Sequence, residues 1–318
     1  MNFNKLYWDL YNRKFDFYYL SSVLKEKEKK TIYAGSSYSI FGITPAKDEI
    51  CVGLPSQDFY YSDKLIRQII QEYSPEKIVF IIGYYTPFCD LSRTKNEAEQ
   101  NRIDDVYFPI LKDVHNRNYD GNQTLRKDSK SIKNIIKTII INRILMFQHF
   151  RYFMKPVKIY FDKIHSRENR KRVTWENPKL SWFQLNLENR IEAGQKRASG
   201  HEKFLSYESS FVENIDIVNS LYSFCKKNKI RFEIVFAPFS NEYLSNMSMK
   251  YVEKAITVKK ILEEKCDYIV DMNNLDLDNG NITFDNNGFS ELDFVDADHL
   301  SDVGANKFRA MLEKLVAY

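Results

Sequence analysis

The sequence has few cysteines, and none of them stands at the spacing of a metal site. Its 318 residues include four cysteines, Cys51, Cys89, Cys225 and Cys266, which are scattered without a CxxC pair or a Cys/His pattern. The pattern therefore predicts neither a zinc site nor a disulfide framework. A reducing compartment fits this use of cysteine best.

Long hydrophobic runs are also missing. Charged residues from Lys5 to Asp16 interrupt the N-terminal stretch, so the continuous apolar core of a signal peptide is absent. The longest other apolar run, residues 138–154, contains Arg143, His149 and Arg151, which makes it too short and too charged to span a bilayer. We therefore expect a cytoplasmic protein.

The charge balance of the whole chain does not predict a nucleic-acid partner. Lysine and arginine number 47 against 43 acidic residues, and a net charge of +4 falls short of the footprint of a dedicated nucleic-acid-binding protein. With 43% hydrophobic residues the chain is able to bury a large core. We interpret it as one α/β domain over residues 1–318, with an insert at about 90–210.

Alternation of strands and helices is the main pattern of the chain. Buried strands are predicted at 31–35, 49–54, 77–85, 231–238 and 267–272, and helices at 62–73, 211–229, 249–265 and from Val303 onward. This order predicts a parallel sheet between two layers of helices, an α/β/α sandwich.

The insert differs in composition from the rest of the chain. Its core is rich in lysine, arginine and aromatic residues and poor in acids. We interpret it as a mainly helical segment with a solvated basic face. The alternative is a basic surface that docks on the inner face of an anionic membrane or binds a phosphate-bearing substrate.

A small-residue turn follows the first predicted strand, in the stretch YAGSSYSIFGI at 33–43. Gly35 lets the chain bend at the carboxyl end of the strand, where ligand crevices form in open α/β sheets. Ser37 would then direct its hydroxyl into that crevice, whereas an ordinary turn is the structural alternative. Gly42 is predicted to let the following helix pack closely on the sheet.

A serine nucleophile needs a base, and the stretch FVDADHLSDVGANKF near the C-terminus offers one. Asp296 stands three residues before His299 and is able to orient its imidazole, leaving the second ring nitrogen for the serine proton. The alternative is that Ser301 or Asp302 caps the last helix and His299 is a loop residue.

The remaining histidines and acids give weaker signals. His149, His165 and His201 have no acidic partner at ligand spacing, so they predict surface or packing roles and no metal site. Residues 276–298 are rich in Asp and Asn but lack the alternation of a calcium loop, and we interpret them as a solvated loop near the site.

Gly-x-Ser after the first strand, together with Asp-x-x-His before the last helix, resembles the SGNH/GDSL superfamily of hydrolases and acyltransferases. Gly35-Ser36-Ser37 matches its first block, and Asp296 with His299 matches its last block. The resemblance implies a flavodoxin-like α/β/α sandwich. It also implies that Ser37 is the nucleophile, His299 the general base and acid, and Asp296 the residue that orients His299.

The two middle blocks of the family match less closely. Gly53 stands where the second block supplies an oxyanion-hole glycine, whereas Gly83-Tyr84-Tyr85-Thr86 lacks the asparagine of the third block. The resemblance implies an oxyanion hole from the backbone N–H groups of Ser37 and Gly53. One lost donor typically costs about 10²–10³ in turnover, and Tyr85 or Thr86 is a candidate replacement.

GSS in place of GDS, with LPSQDFYY and RFEIVFAPFSNEYL, is similar to a divergent SGNH branch found with bacterial cell-surface polysaccharide and teichoic-acid genes. This resemblance implies transfer of an acyl group, foremost acetyl, to a carbohydrate hydroxyl, with a donor such as acetyl-CoA and no tightly bound cofactor. An esterase of the same fold and a catalytically decayed glycan-binding protein are the alternatives. Tyr38, Tyr84 and Tyr85 are the candidate sugar-stacking or acyl-pocket residues.

Overall fold

The computed structural model describes Arg13, residues 15–116 and residues 182–316. The chain divides into two compact units, Met1–Asp113 with Trp175–Tyr318, and Val114–Thr174. The second unit lies outside the described residues except for residues 114–116. His149 and His165 also lie outside them, so the predictions for these histidines and for the core of the basic insert stay predictions.

A five-stranded parallel sheet forms the centre of the first unit. Its strand order is β2-β1-β3-β4-β5, which is the flavodoxin-like order of a doubly wound fold. The strands are β1 (Thr31–Gly35), β2 (Glu49–Cys51), β3 (Lys77–Ile82), β4 (Arg231–Phe236) and β5 (Tyr268–Asp271). The predicted parallel sheet is confirmed.

Apolar runs explain why these segments form the inner strands, with Glu233 of β4 as a buried exception that is paired with Arg231. In β3, KIVFII, only the first residue is not fully buried, and in β4, RFEIVF, only the first is exposed. Strands of a parallel sheet are covered on both faces and therefore lack an alternating polar side.

Helices flank the sheet and complete the predicted α/β/α arrangement. They are α1 (residues 15–23), α2 (Ser37–Gly42), α3 (Phe59–Glu72), α4 (Glu97–Arg102), α5 (Phe108–Leu111), α6 (Leu187–Glu202), α7 (Glu208–Lys227), α8 (Asn241–Leu244), α9 (Met249–Glu263) and α10 (Asp302–Val316). Helix α3 contacts α7, and α2 contacts α10. No helix within the described ranges is long and apolar enough to cross a bilayer.

Helix α6 falls within the stretch predicted to be an insert, yet it packs directly on the α/β unit. Gly194 lies so close to α8 that a Cβ there would sit 2.4 Å from the carbonyl oxygen of Glu242. Arg190 also donates a 2.8 Å hydrogen bond to the Glu242 carboxylate. The described C-terminal part of the insert is therefore built into the first unit.

The acidic stretch at 276–298 is more ordered than the predicted loop. It begins with a two-stranded antiparallel hairpin, β6 (Asp276–Asp278) and β7 (Asn281–Thr283). Asn279 and Gly280 both have positive φ, 49° and 78°, as a two-residue hairpin turn requires. Its strands are largely exposed, as expected, whereas Asn286, Asp293 and Asp298 in the rest of the stretch are buried, so the predicted solvation holds for the hairpin and not for the whole stretch.

Candidate active site

Gly35 makes the turn that presents the serine pair. Its φ is +124°, and a Cβ there would lie 2.1 Å from the carbonyl oxygen of Ile81 on the neighbouring strand. No L side chain fits this backbone, so the chain bends at the carboxyl end of β1 only because residue 35 is glycine. Ser36 is extended, and α2 starts at Ser37.

Ser37 and His299 meet at this edge of the sheet. Ser37 Oγ lies 2.8 Å from His299 Nε2, and His299 Nδ1 lies 3.0 Å from both carboxylate oxygens of Asp296. In the arrangement that satisfies all three groups, the Ser37 hydroxyl donates to Nε2 and Nδ1–H donates to Asp296. This is the geometry of a nucleophile, its base and an orienting carboxylate.

A tight loop positions His299 for this contact. Asp296 Oδ1 accepts hydrogen bonds from the backbone N–H groups of Asp298 and His299, at 3.0 and 2.9 Å. Ser301 accepts a 3.2 Å bond from the N–H of Gly304 and so caps α10. The helix-cap interpretation therefore holds for Ser301, while His299 reaches Ser37.

Aromatic rings enclose the imidazole. The Tyr38 ring lies nearly parallel to it at a centroid distance of 5.5 Å, and the Phe41 ring lies 4.9 Å away. Both rings belong to α2, directly after the nucleophile. Only 9% of His299 is exposed, so its interactions with charged neighbours are weakly screened.

Asp298 is a site residue that the sequence analysis missed. Its side chain is fully buried, and its two oxygens accept bonds from Arg197 Nε at 2.7 Å and Nη2 at 3.1 Å. Tyr38 O–H donates to the same carboxylate at 2.8 Å, and His299 Nδ1 lies 3.6 Å away. Asp298 is the second acid of the DADH motif and could have been considered for that reason. Its arginine partner could not be found in this way, because Arg197 lies 101 positions earlier in the chain.

Opposing effects set the ionisation of this cluster. Burial by itself lowers the pKa of His299, but the charges of Asp296 and Asp298 raise it above its ordinary value. Burial by itself raises the pKa of Asp298, yet the positive charges of His299 and Arg197 bring it well below its usual range. At neutral pH Asp298 is therefore ionised.

His201 is buried rather than on the surface. Its Nδ1 lies 2.8 Å from the Tyr243 hydroxyl, and its ring stacks on Tyr85 at a centroid distance of 3.7 Å. Its Nε2 also lies 3.8 Å from Asp298, a proximity that sequence spacing did not indicate. Burial lowers the pKa of His201 to about 3, so this imidazole stays neutral.

Gly53 lies against the serine turn, where the second family block predicts an oxyanion-hole donor. A Cβ at Gly53 would sit 1.7 Å from Ser39 Oγ and 2.8 Å from the carbonyl oxygen of Gly35. No described residue accepts a hydrogen bond from its backbone N–H. Ser37 is the first residue of α2, so its N–H has no acceptor within the helix.

The four residues after β3 differ in what they offer to a substrate. Thr86 Oγ1 donates to the carbonyl of Gly83 at 2.7 Å, which uses its one proton. Tyr84 is fully buried and donates to Asp271 at 2.5 Å. Tyr85 is half-buried, with its hydroxyl 3.3 Å from that of Tyr38. Of these three side chains, only that of Tyr85 has a hydroxyl proton with no acceptor among the described residues, so it is the candidate replacement for the missing asparagine.

Gly42 makes a different contact from the one predicted. A Cβ there would meet the ring of Phe308 at 3.0 Å, so this glycine allows α2 to approach α10. Glycine is therefore needed at position 42 for packing against α10, and not for packing on the sheet as predicted.

Asp296, Asp298 and His299 also bring metal-ligand atoms within 4.8 Å of one another. A cation bound there would have to compete with the Arg197 guanidinium for Asp298 and with Ser37 for His299 Nε2. The donor atoms are thus already used in the hydrogen-bonded cluster, which fits proton transfer better than metal binding.

Comparison with protein-family models finds no match to this chain, and comparison with curated proteins finds no significant match. The functional assignment therefore depends on the geometry of the site and on the motifs that form it.

Proposed function

We propose that this protein transfers an acyl group through Ser37. The observation that carries the proposal is the 2.8 Å contact between Ser37 Oγ and His299 Nε2, continued by the 3.0 Å contact between Nδ1 and Asp296. A hydroxyl is a weak nucleophile on its own, and a base at this distance, oriented by a third group, is what activates it.

The proposed reaction has two steps, and in each of them His299 accepts a proton and then donates it. In the first, Ser37 Oγ bonds to the carbonyl carbon of an acyl donor, its proton passes to His299 Nε2, and the leaving group departs with that proton. In the second, an acceptor hydroxyl gives its proton to Nε2 and attacks the acyl carbon. The ester bond to Ser37 then breaks, and His299 Nε2 returns the proton to Ser37 Oγ. Asp296 stabilises the imidazolium formed in each step.

Negative charge on the carbonyl oxygen requires donors beside Ser37. The N–H groups of Ser37 and Gly53 are the donors in this proposal, with the Tyr85 hydroxyl as a third. Backbone donors cost no reorganisation during the reaction, because the turn at Gly35 holds them in place before substrate binds.

A carbohydrate hydroxyl is the proposed acceptor and acetyl the proposed acyl group, with acetyl-CoA as a suitable donor for a cytoplasmic bacterial enzyme of polysaccharide synthesis. Tyr85, Phe204 and Tyr207 form a row of rings with centroid separations of 5.5 and 5.8 Å, which favours a sugar. Tyr38 and Tyr84 are almost completely buried, so their proposed stacking on a sugar is not available to them. Water as acceptor would make the protein an esterase.

A non-catalytic glycan-binding protein is the second candidate. The missing asparagine of the third block favours it, as does the internal hydrogen bond that occupies Thr86. The two candidate functions differ in one property: the acyltransferase requires an activated Ser37, and the glycan-binding protein does not.

Labelling by a fluorophosphonate probe and hydrolysis of p-nitrophenyl acetate test the proposal. We expect wild-type protein to react, and Ser37→Ala and His299→Ala to lose about 10³-fold or more of the hydrolysis rate. Ser223→Ala, an exposed serine on α7, is the matched control. Equal rates in wild type and Ser37→Ala would contradict the proposal and favour the binding protein.

A second measurement adds a sugar acceptor to the same assay. Faster release of p-nitrophenol together with acetylated sugar would identify a transferase. Unchanged release with free acetate as the product would identify an esterase.

A further inference from the structure

Asp298 is an unusual residue for a site that already has an orienting carboxylate. Asp296 makes both short contacts to His299 Nδ1, yet its side chain is 52% exposed, whereas that of Asp298 is fully buried. An ionised carboxylate in such a position is costly unless it is paired and hydrogen-bonded. Arg197 and Tyr38 supply that pairing.

We propose that Asp298, clamped by Arg197, is a positioning residue that supports the positive charge of His299 during proton transfer. The inference rests on the proposed function, because it assigns a role to Asp298 and Arg197 within the same reaction. Neither residue touches the reacting atoms, and both act through the imidazole.

Contacts with three residues give Asp298 this role. Its Oδ1 lies 3.6 Å from His299 Nδ1, close enough for direct electrostatic stabilisation of an imidazolium in a weakly screened site. Its bond from Tyr38 holds the ring that lies parallel to the imidazole. Its two bonds from Arg197 fix the carboxylate in one orientation, as planar two-point pairing does.

Arg197 links this support to α6. Its side chain is 42% exposed, so the guanidinium stays partly solvated while it neutralises a carboxylate that has no access to water. The pair thereby joins α6 to the loop of His299. The proposed mechanism therefore uses an arginine from α6, a helix within the stretch that was predicted to be an insert.

The sign of each contribution makes the proposal testable. Asp298 raises the pKa of His299, and Arg197 lowers it. The titratable and charged groups around His299 are Asp296 and Asp298 on its own loop, Arg197 and His201 on α6, Tyr38 on α2, and Tyr85 after β3. His201 stays neutral, so its charge does not oppose a change at Asp298.

The first experiment measures kcat/KM for p-nitrophenyl acetate against pH. We expect Asp298→Asn to lower kcat/KM at the optimum about tenfold and to move the acidic limb to lower pH. Arg197→Gln is expected to move the limb to higher pH, because it leaves the Asp298 charge uncompensated. Arg197→Lys keeps the positive charge and is expected to leave the limb near its wild-type position.

The matched control is another carboxylate held by an arginine. Glu49 accepts two bonds from Arg309, at 2.7 and 3.0 Å, and makes no contact with the serine or the histidine in the described part of the chain. Glu49→Gln is expected to lower Tm without moving the acidic limb. A purely structural role of Asp298 would give the same result as this control.

The second experiment measures the titration of the His299 ring by NMR, with His299→Ala used to assign its signal. It needs no turnover, so it separates a failure of this inference from a failure of the proposed acyl chemistry. Shifts of opposite sign in Asp298→Asn and Arg197→Gln support the inference. Unchanged titration of His299 in both folded variants overturns the inference. If Asp298→Asn does not fold, an unchanged titration in Arg197→Gln is sufficient to overturn it.

Discussion

Ser37 and His299 are 262 positions apart in the chain, yet Ser37 Oγ and His299 Nε2 lie 2.8 Å apart. The first residue of α2 and the loop before α10 are brought together because α2 packs on α10 at the carboxyl edge of the sheet. The contact therefore depends on the packing of both helices.

The charge on Asp296 should set the pH range of the proposed acyl transfer. Asp296 and Asp298 raise the pKa of His299, so kcat/KM should fall with decreasing pH through an apparent pKa above the ordinary histidine value. Asp296→Asn should move this limb to lower pH. It should also reduce kcat by about 10²–10⁴, because a neutral amide holds the wrong imidazole tautomer. A pH–rate profile checks both effects, and an unshifted limb would rule out direct coupling.

Gly35 should tolerate no side chain. Gly35→Ala places a Cβ 2.1 Å from the Ile81 carbonyl oxygen on a backbone of positive φ, so we expect a loss of more than about 3 kcal/mol or a failure to fold. Gly200→Ala is the control, because a Cβ in α6 at that position meets nothing within 4 Å. It should stabilise by about 0.5–1 kcal/mol. Urea unfolding measures both, and equal stabilities would contradict the turn argument.

The Tyr85 hydroxyl should contribute to turnover, and that of Thr86 should not. Tyr85→Phe should lower kcat by about 10²-fold with little change in KM, as loss of an oxyanion donor does. Thr86→Val should reduce stability through the lost bond to Gly83 and leave kcat nearly unchanged. Steady-state kinetics of the two variants show which hydroxyl the proposed reaction uses. Turnover of Tyr85→Phe at the wild-type rate would leave only the backbone N–H groups as oxyanion donors.

Glu233 should make the protein less stable as the pH rises. Its side chain on β4 is 1% exposed, with Arg231 Nε 2.7 Å and Lys77 Nζ 3.9 Å from its oxygens. Burial raises the pKa of Glu233, and the two cations only partly oppose this effect. A group whose folded pKa exceeds its unfolded value stabilises below the unfolded pKa and loses that contribution as pH rises through the folded pKa.

Glu233→Gln should therefore raise the free energy of unfolding at neutral pH by about 1 kcal/mol and change little near pH 4. Exposed Glu264→Gln is the control and should have little effect at either pH. Thermal unfolding at both pH values measures the difference. A variant that is less stable at neutral pH would show that the ion pairs outweigh the burial of the charge.

Local sequence was sufficient for the five strands of the sheet and for helices α3, α7, α9 and α10. The continuous apolar run of β3 suits a strand covered on both faces, β4 departs from that pattern within the strand only at Glu233, and α3 has a regular apolar face. The hairpin at Asn279-Gly280 was missed, although Asn-Gly flanked by the paired residues Leu277 and Ile282 is itself a hairpin signal. Its strands are only three residues long, and the many Asp and Asn residues around them indicated a solvated loop.

Local sequence also singled out Ser37, Asp296 and His299, because each stands in a short motif next to a predicted strand or helix. Asp298 stands in the same DADH motif, but its pairing with Arg197 had no such signal, since a pair 101 positions apart leaves no periodic trace in the chain. Only the tertiary structure decided that α6 brings its arginine to a buried carboxylate beside the histidine. Strands and turns depend on neighbours in the sequence, whereas the surroundings of a buried charge depend on every element packed around it.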